Sequence, residues 1–348
     1  MWDSLLAILL LATLPFAVLS SDVADCGVKN NTLKFGRHII VDRHGEGHYR
    51  SVQEAVNSVP SGNNRWARIV INPGIYMEQL TIPGNKPCIF LDGSNRHLVT
   101  ITFNKHSQTD TSATFSSYPK NVVIRGITFK NSYNVYGTKA TTQVKQALAA
   151  RVYGDKSIFY ECGFIGVQDT LWDVTGRHYY HSCYIEGAVD FIFGGGQSYF
   201  EDCMINATVS LPPHHITKGY VTAQGRSSPG DSSGFVFRRG TVVGARNVFL
   251  GRAYGPYSRV IFHETLLSAG VAPEGWDAWQ FKGNEARITY AEVGCKGRGS
   301  NMTSRVRWAK RLDSLQMDKF SMSAFIDQEG WLASHPVSNK FYRNRRVA

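Results

Sequence analysis

Gln146, Gln168 and Asp190 stand at equal intervals of 22 residues, and a second acid, Asp169, directly follows the middle one. If these four side chains meet, they form a set with a definite chemistry. Amide N–H groups can hold the oxyanion of a tetrahedral intermediate without adding charge, and one such donor is worth roughly 2.7–4 kcal/mol. A carboxylate kept ionised and oriented can attack an acyl carbon. A second carboxyl beside it resists ionisation and becomes a proton donor. Together they suit the cleavage of an ester. Taken singly, each has a plainer reading. Asp190, between Ala188-Val189 and Phe191-Ile192-Phe193, reads as a buried acid paired to an arginine; Asp169 reads as a turn residue and each glutamine as a rung of a stacked ladder.

Convergence requires elements that repeat at this interval. One coil of a parallel β-helix takes roughly 20–25 residues, which stacks equivalent positions about 4.8 Å apart. A weak internal repeat supports such coils: Ile124–Phe129, Phe159–Phe164, Tyr180–Ile185 and Phe200–Ile205 share one pattern, with Phe237–Val242 a looser copy. It predicts an inward ladder of Ile127, Cys162, Cys183, Cys203 and Gly240, with room for a loop around Tyr133–Thr142. The fold class expected is all-β, a right-handed single-stranded parallel β-helix with short helices at its ends. A β-sandwich is the structural alternative, but it leaves the 22-residue phase unexplained. Near the start, His38–Val41 reads as a first strand, followed by short β runs at Arg68–Asn72, Cys88–Asp92 and Val99–Phe103. Ser51 and Glu54 form a capping box ahead of an apolar run to Val59, predicting a helix that caps the solenoid. A second helix is expected over Trp308–Leu315, within a tail that packs outside the coils.

Of the 348 residues, Leu5 to Leu19 are almost wholly apolar and end at Ser20 and Ser21. The run is short for a bilayer span and suits a signal peptide, although Met1-Trp2-Asp3-Ser4 carries no Lys or Arg; an uncleaved anchor is the alternative. The division expected is a signal peptide at 1–20, a polar leader at 21–35 and one catalytic β-helix domain at 36–348. Removing residues 1–20 takes away Asp3 and no base, moving the formal charge from +11 to +12. Charge of this size speaks to partners rather than fold. For a secreted chain an acidic polysaccharide fits better than nucleic acid, and Arg343, Arg345 and Arg346 read as a solvated tail. The six cysteines include no CxxC pair, which argues against a zinc site. Cys162 with Cys183 is the expected disulfide, a ladder of buried thiols the alternative. Sequons at Asn30, Asn206 and Asn301 are compatible with glycosylation.

Several longer motifs then line up in order: Gly74–Glu78, Gln146–Arg151, Gly163–Leu171, Gly187–Gly195 and Leu250-Gly-Arg252. With them, most of the chain from about Phe35 onward resembles the plant pectin methylesterases, or pectinesterases. The resemblance implies hydrolysis of galacturonate methyl esters without metal or other cofactor, by a chain lacking the inhibitor-like helical domain that many plant members carry. It implies Asp190 as nucleophile, Asp169 as acid and then base, Gln146 and Gln168 as the oxyanion hole, and Arg252 as the group orienting Asp190. Thr109, Phe191, Tyr254 and Trp279 would join Gln146 and Arg252 in contacting substrate. Also implied are a monomer in the plant cell wall, free of stable membrane association, and a pectinesterase inhibitor protein as a partner. Three departures stand out: Gln146-Ala-Leu-Ala-Ala150 for the usual Gln-Ala-Val-Ala-Leu, Gly194-Gly-Gly196 for Gly-Asn-Ala, and Ala253-Tyr254 for Pro-Trp.

Other chemistries fit less well. A glycosidase would leave the glutamine pair without a task, a calcium-assisted lyase would need a cluster of acids, and a serine esterase would need Gly-x-Ser-x-Gly on a strand-to-helix elbow, whereas the match at Gly230–Gly234 is followed by no helical pattern. A catalytically weak or inactive pectin-binding wall protein remains the alternative from a different class.

Overall fold

Along Ala67–Ile71 the burial alternates residue by residue, with Ala67, Ile69 and Ile71 facing inward. Period-two patterning of this kind makes a strand with one face on a core. The computed structural model describes Cys26, Val28–Lys29, Thr32–Leu33 and residues 35–134, 144–209 and 216–337. The expected signal peptide, Asn30, nearly all of the Tyr133–Thr142 loop and the basic end Arg343–Arg346 lie outside them.

Such strands stack into three parallel sheets, one of ten strands and two of eight. Eight coils give one strand to each sheet, and Arg37–Val41 and Thr289–Val293 extend the first sheet at its two ends. One coil runs through Ser157–Tyr160, Gly163–Ile165 and Leu171–Asp173 before Arg177–His181 lands beside Ser157–Tyr160 on the first sheet. This is the right-handed parallel β-helix expected. From Val122–Arg125 to Arg259–His263 the chain turns from the first sheet to the second through a single left-handed residue, namely Gly126, Glu161, Ser182, Asp202, Arg239 or Glu264. The residue after each corner points inward, which produces the ladder of Ile127, Cys162, Cys183 and Cys203, all buried. Beside it Phe159, Tyr180, Phe200, Phe237 and Phe262 stack ring on ring at 4.5–4.8 Å. Offset stacking of this kind adds to the area each ring buries.

The N-terminal helix spans Val52–Ser58 and buries Val52, Ala55 and Val56 under the first coils. Its Ser51 cap accepts from Glu54 N–H at 3.3 Å, and Glu78 takes the N–H groups of Val52 and Gln53, each at 2.9 Å. The helix expected over Trp308–Leu315 is displaced. It occupies Ser314–Asp318, where Asp313 and Gln316 close a capping box, and Trp308 packs on Tyr290 from a turn. Cap chemistry, not the apolar run, sets its start. From there the tail lays Met317, Phe325, Ile326, Leu332 and Val337 on the outer face of the first sheet.

The expected Cys162–Cys183 disulfide is not formed. Both are free, as are Cys203 and Cys295, and the bridge joins Cys26 to Cys88. On adjoining coils of a parallel ladder side chains point the same way, and each thiol already has an acceptor. Cys162 donates to Tyr160 C=O at 3.3 Å, Cys183 to Phe159 C=O at 3.4 Å and Cys203 to Tyr180 C=O at 3.5 Å. Burial pushes the Cys162 and Cys183 thiols well above their ordinary range, which suppresses the reactive thiolate. The observed bridge encloses a 62-residue separation, worth about 4 kcal/mol by loop-closure entropy. Denatured without reductant, the chain should therefore titrate four thiols, with none reacting quickly while it is folded. A count of two would require a second bridge and restore the Cys162–Cys183 pairing.

Candidate active site

The third sheet carries the chemistry. Asp169 and Asp190 each sit two residues ahead of a strand, Leu171–Asp173 and Ile192–Gly194, and both have left-handed backbones, φ 60° and 49°. Aspartate tolerates this conformation better than most residues but still at a cost. The Asp169 N–H donates to Val189 C=O at 3.1 Å, and Gln168 pairs with Val189. Asp169 and Asp190 are thereby neighbouring rungs. The register here is 21 residues, as it is between Leu171 and Ile192.

The 22-residue intervals have a different origin. Ala150 pairs with Leu171, again 21 apart, yet upstream Ala147 N–H bonds Gln168 C=O at 3.3 Å. Between these points the Ala149 and Ala150 N–H groups converge on Thr170 C=O, at 2.9 and 3.1 Å. One extra residue is absorbed there, as in a β-bulge, and Gln146 is carried into line with Gln168. The glutamines thus stack 22 apart and the acids 21 apart.

Arg252, at the end of Val248–Arg252, reaches back across the intervening strand Gly219–Gln224 to grip Asp190. Nε donates to Oδ1 at 2.7 Å and Nη2 to Oδ2, a two-pronged charge-assisted pair. Its guanidinium lies between two rings, Tyr220 at 4.5 Å and Trp279 at 4.2 Å from their centroids. Both acids are nearly buried. Burial raises the Asp190 carboxyl above the ordinary range, and the Arg252 fork pulls against it. Asp169 is pushed up to about 7, first by burial and then by the charge on Asp190, against the opposing pull of a Gln146 hydrogen bond and of Arg252. The Arg252 fork favours the charged form of Asp190, and its neighbour keeps its proton up to near neutrality. That division, beside two amides, equips the site for acyl transfer from an ester.

A family model described as Pectinesterase matches residues 38–329. The chain belongs to the pectinesterase family. It is 44% identical over 304 residues to putative pectinesterase 10 of Arabidopsis thaliana, covering 87% of this chain and 89% of that one. Probable pectinesterase 29 of the same plant is 43% identical, covering 87% and 91%. Among solved structures, pectin methylesterase from carrot superposes with a TM-score of 0.80 at 29% identity, over 88% of this chain and 98% of that one. The Aspergillus niger pectin methylesterase gives 0.70 at 28%, over 86% and 95%.

Against the pectinesterase pattern the structure corrects one expected contact. Phe191 is wholly buried in the core and cannot touch a substrate. The outward aromatics are Trp172 and Phe193, stacked at 5.4 Å on adjoining rungs. Strand alternation is the signal that finds them, since Leu171 and Ile192 point in. Tyr254 is 56% exposed and stacks on Trp279 at 5.8 Å. Thr109 is half-buried in the loop whose Ser107 N–H bonds Gln146 C=O at 3.0 Å. The Gly194–Gly196 departure follows from the core. Gly194 has φ 121°, and a Cβ on Gly196 would lie 1.5 Å from Asp173 Oδ1. Asp173 is buried and bonded to His178, Tyr180 and Ser198, so its carboxylate fills the space an alanine methyl would need. Among the sequons, the Asn206 amide nitrogen already donates to Tyr184 and Glu186, whereas Asn301 is exposed. Among the described residues, the grouping that could hold a metal ion is His181, Glu201 and Asp202, set on the first sheet, where Arg239 pairs with both acids.

A folded-state pKa raised to about 7 favours the protonated fold. The stability from Asp169 is present below its unfolded value near 4 and is lost as pH rises through 7, up to about 4 kcal/mol. Asp169→Asn removes that titration. Its melting temperature relative to wild type should rise by a few degrees between pH 5 and pH 8; a constant difference across that range would exclude the raised pKa.

Proposed function

We propose that this pectinesterase removes methyl groups from the C6 esters of homogalacturonan through an acyl-enzyme on Asp190. The observation that carries the reading is the split between two adjoining carboxyls, one forked by Arg252 and the other raised to about 7. Asp190 attacks the C6 carbonyl, and the amides of Gln146 and Gln168 receive the charge that forms on its oxygen. As the tetrahedral intermediate collapses, Asp169 gives its proton to the departing methoxide and methanol leaves. Asp169, now ionised, takes a proton from water, whose oxygen attacks the mixed anhydride. The C6 carboxylic acid is released and loses its proton to solvent, Asp190 is again a carboxylate and Asp169 is again protonated. Gln146 must exchange its bond to Asp169 for one to the oxyanion, a swap that removes a bond favouring the charged form and so keeps the proton on Asp169 until the leaving group takes it.

The same reading gives Thr109, Tyr254 and Trp279 to the binding of neighbouring sugars. Its excess positive charge suits a substrate that gains negative charge with each turnover. Residues 1–20 would direct secretion to the plant cell wall, leaving residues 36–348 as a monomeric catalytic domain open to a pectinesterase inhibitor protein. Among the described residues no helix is long and apolar enough to cross a membrane.

Methanol release from highly methylated pectin tests the assignment. Asp190→Asn should abolish release while the protein stays folded, and Gln168→Ala should lower kcat about 100- to 1,000-fold. Near-wild-type release by Asp190→Asn would sink the nucleophile. No release from folded wild type that still binds pectin would favour a binding protein instead.

A further inference from the structure

Arg252 reaches Asp190 past a closer acid. On the ladder, Arg252 pairs in register with Asp277, on the neighbouring strand Trp276–Asp277. Both guanidinium bonds nevertheless go to Asp190, on the far side of Gly219–Gln224. The oxygens of Asp277 are engaged elsewhere. Oδ2 accepts from the Tyr220 hydroxyl at 3.0 Å and from Lys218 Nζ at 3.1 Å, and Oδ1 accepts from the Trp279 N–H at 2.9 Å.

Those bonds hold the two rings that enclose the guanidinium. Tyr220 covers one ring contact and Trp279 the other, at 4.5 and 4.2 Å. Trp279 has φ 48°, a left-handed backbone that a bulky residue rarely keeps without support. Its N–H bond to Asp277 is such support. Lys218 balances the Asp277 charge and lies over the Phe249 ring at 4.1 Å and the Tyr220 ring at 5.2 Å. Burial works against the charge on Asp277, but the bonds from Trp279, Lys218 and Tyr220 outweigh it and hold the carboxyl below its usual range. Charged groups facing the cluster are thus Lys218, Asp277, Arg252 and Asp190.

We propose that Asp277, whose bonds go to Tyr220, Lys218 and Trp279 and not to Asp190, is a positioning residue that fixes both aromatic jaws around Arg252 and so aims its fork at Asp190. This rests on the reading of Asp190 as nucleophile. Lys218 and Tyr220 are part of the device, because by satisfying Asp277 they leave Arg252 free for the more distant acid. Without Asp277 the Tyr220 ring loses its anchor and Trp279 its backbone clamp. Arg252 then tilts, and Asp190 becomes both harder to ionise and less well directed. Misplacement on the order of 1 Å is enough to cost about 100-fold in rate.

The test is steady-state methanol release across pH for wild type, Asp277→Asn, Asp277→Glu, Tyr220→Phe and Asp190→Asn, with melting temperatures for each. Asp277→Asn should lower kcat about 10- to 100-fold with KM within about twofold. The acid limb of its kcat/KM profile should move up by about half a unit, because a loosened Arg252 stabilises the Asp190 charge less. Asp277→Glu should recover part of the loss. Tyr220→Phe, which keeps the ring and loses the bond, should shift the same way by a smaller amount. Wild-type kcat and acid limb in folded Asp277→Asn would overturn the positioning role, as would a loss confined to KM, which would make Trp279 only a substrate surface. If Asp277→Asn does not fold, Tyr220→Phe decides, and an unchanged acid limb there would overturn the proposal. Asp190→Asn that still turns over would instead sink the nucleophile reading beneath it.

Discussion

Two carboxyls on adjoining rungs of a ladder cannot both be charged cheaply, and the Arg252 ion pair settles which of them is. The rest of the site follows from that asymmetry. Burial weighs on both carboxyls, but the guanidinium bonds only Asp190, so the charge on Asp190 adds to burial at Asp169 and pushes it up to about 7. Had Arg252 sat midway between them, the pair would share one proton, as in an aspartic protease, and neither would be set apart from the other. The rungs themselves supply the closeness. A parallel sheet sets their separation, and the left-handed corners at Asp169 and Asp190 turn both carboxyls away from the core they would otherwise enter.

The same coils that bring the acids together restrict what surrounds them. Asp173, four residues after Asp169, points inward and requires glycine at 196. Trp172, between them in orientation, points outward to stack on Phe193. Strand alternation therefore sends neighbouring side chains of one segment to the core and to the outer face. Alanine at 196 would collide with the buried Asp173 carboxylate, so this difference from the usual motif is settled in the core rather than on the outward face.

Much of this was legible in the residues because it is local or repeats. The strands at His38–Val41 and Val99–Phe103, the inward ladder through Cys162 and Cys203, and the helix after Ser51 follow from alternation, coil interval and capping chemistry. The convergence of the four candidate side chains on one stretch of the third sheet was legible for the same reason, although the equal 22-residue intervals combine two registers, one of them reached through a bulge at Ala149–Ala150. What stayed hidden depends on direction or on distance in sequence. Spacing alone does not tell whether a cysteine ladder bridges or bonds to carbonyls, and nothing near Cys26 announces Cys88. Phe191 was placed at the surface by resemblance, whereas alternation points to Phe193. The Tyr220 and Asp277 contacts join strands 57 residues apart through side chains alone, which no periodicity encodes.

The Cys26–Cys88 bridge has a mechanical meaning as well. Cys88 precedes Ile89–Gly93, the third strand of the ten-stranded sheet counted from its N-terminal edge, so the first two strands and the helix Val52–Ser58 lie inside the closed loop. A pull applied upstream of Cys26 is delivered to the third coil and leaves the first two slack. Peeling from that end would have to begin in the interior of the solenoid rather than at its open edge, until the bridge is reduced.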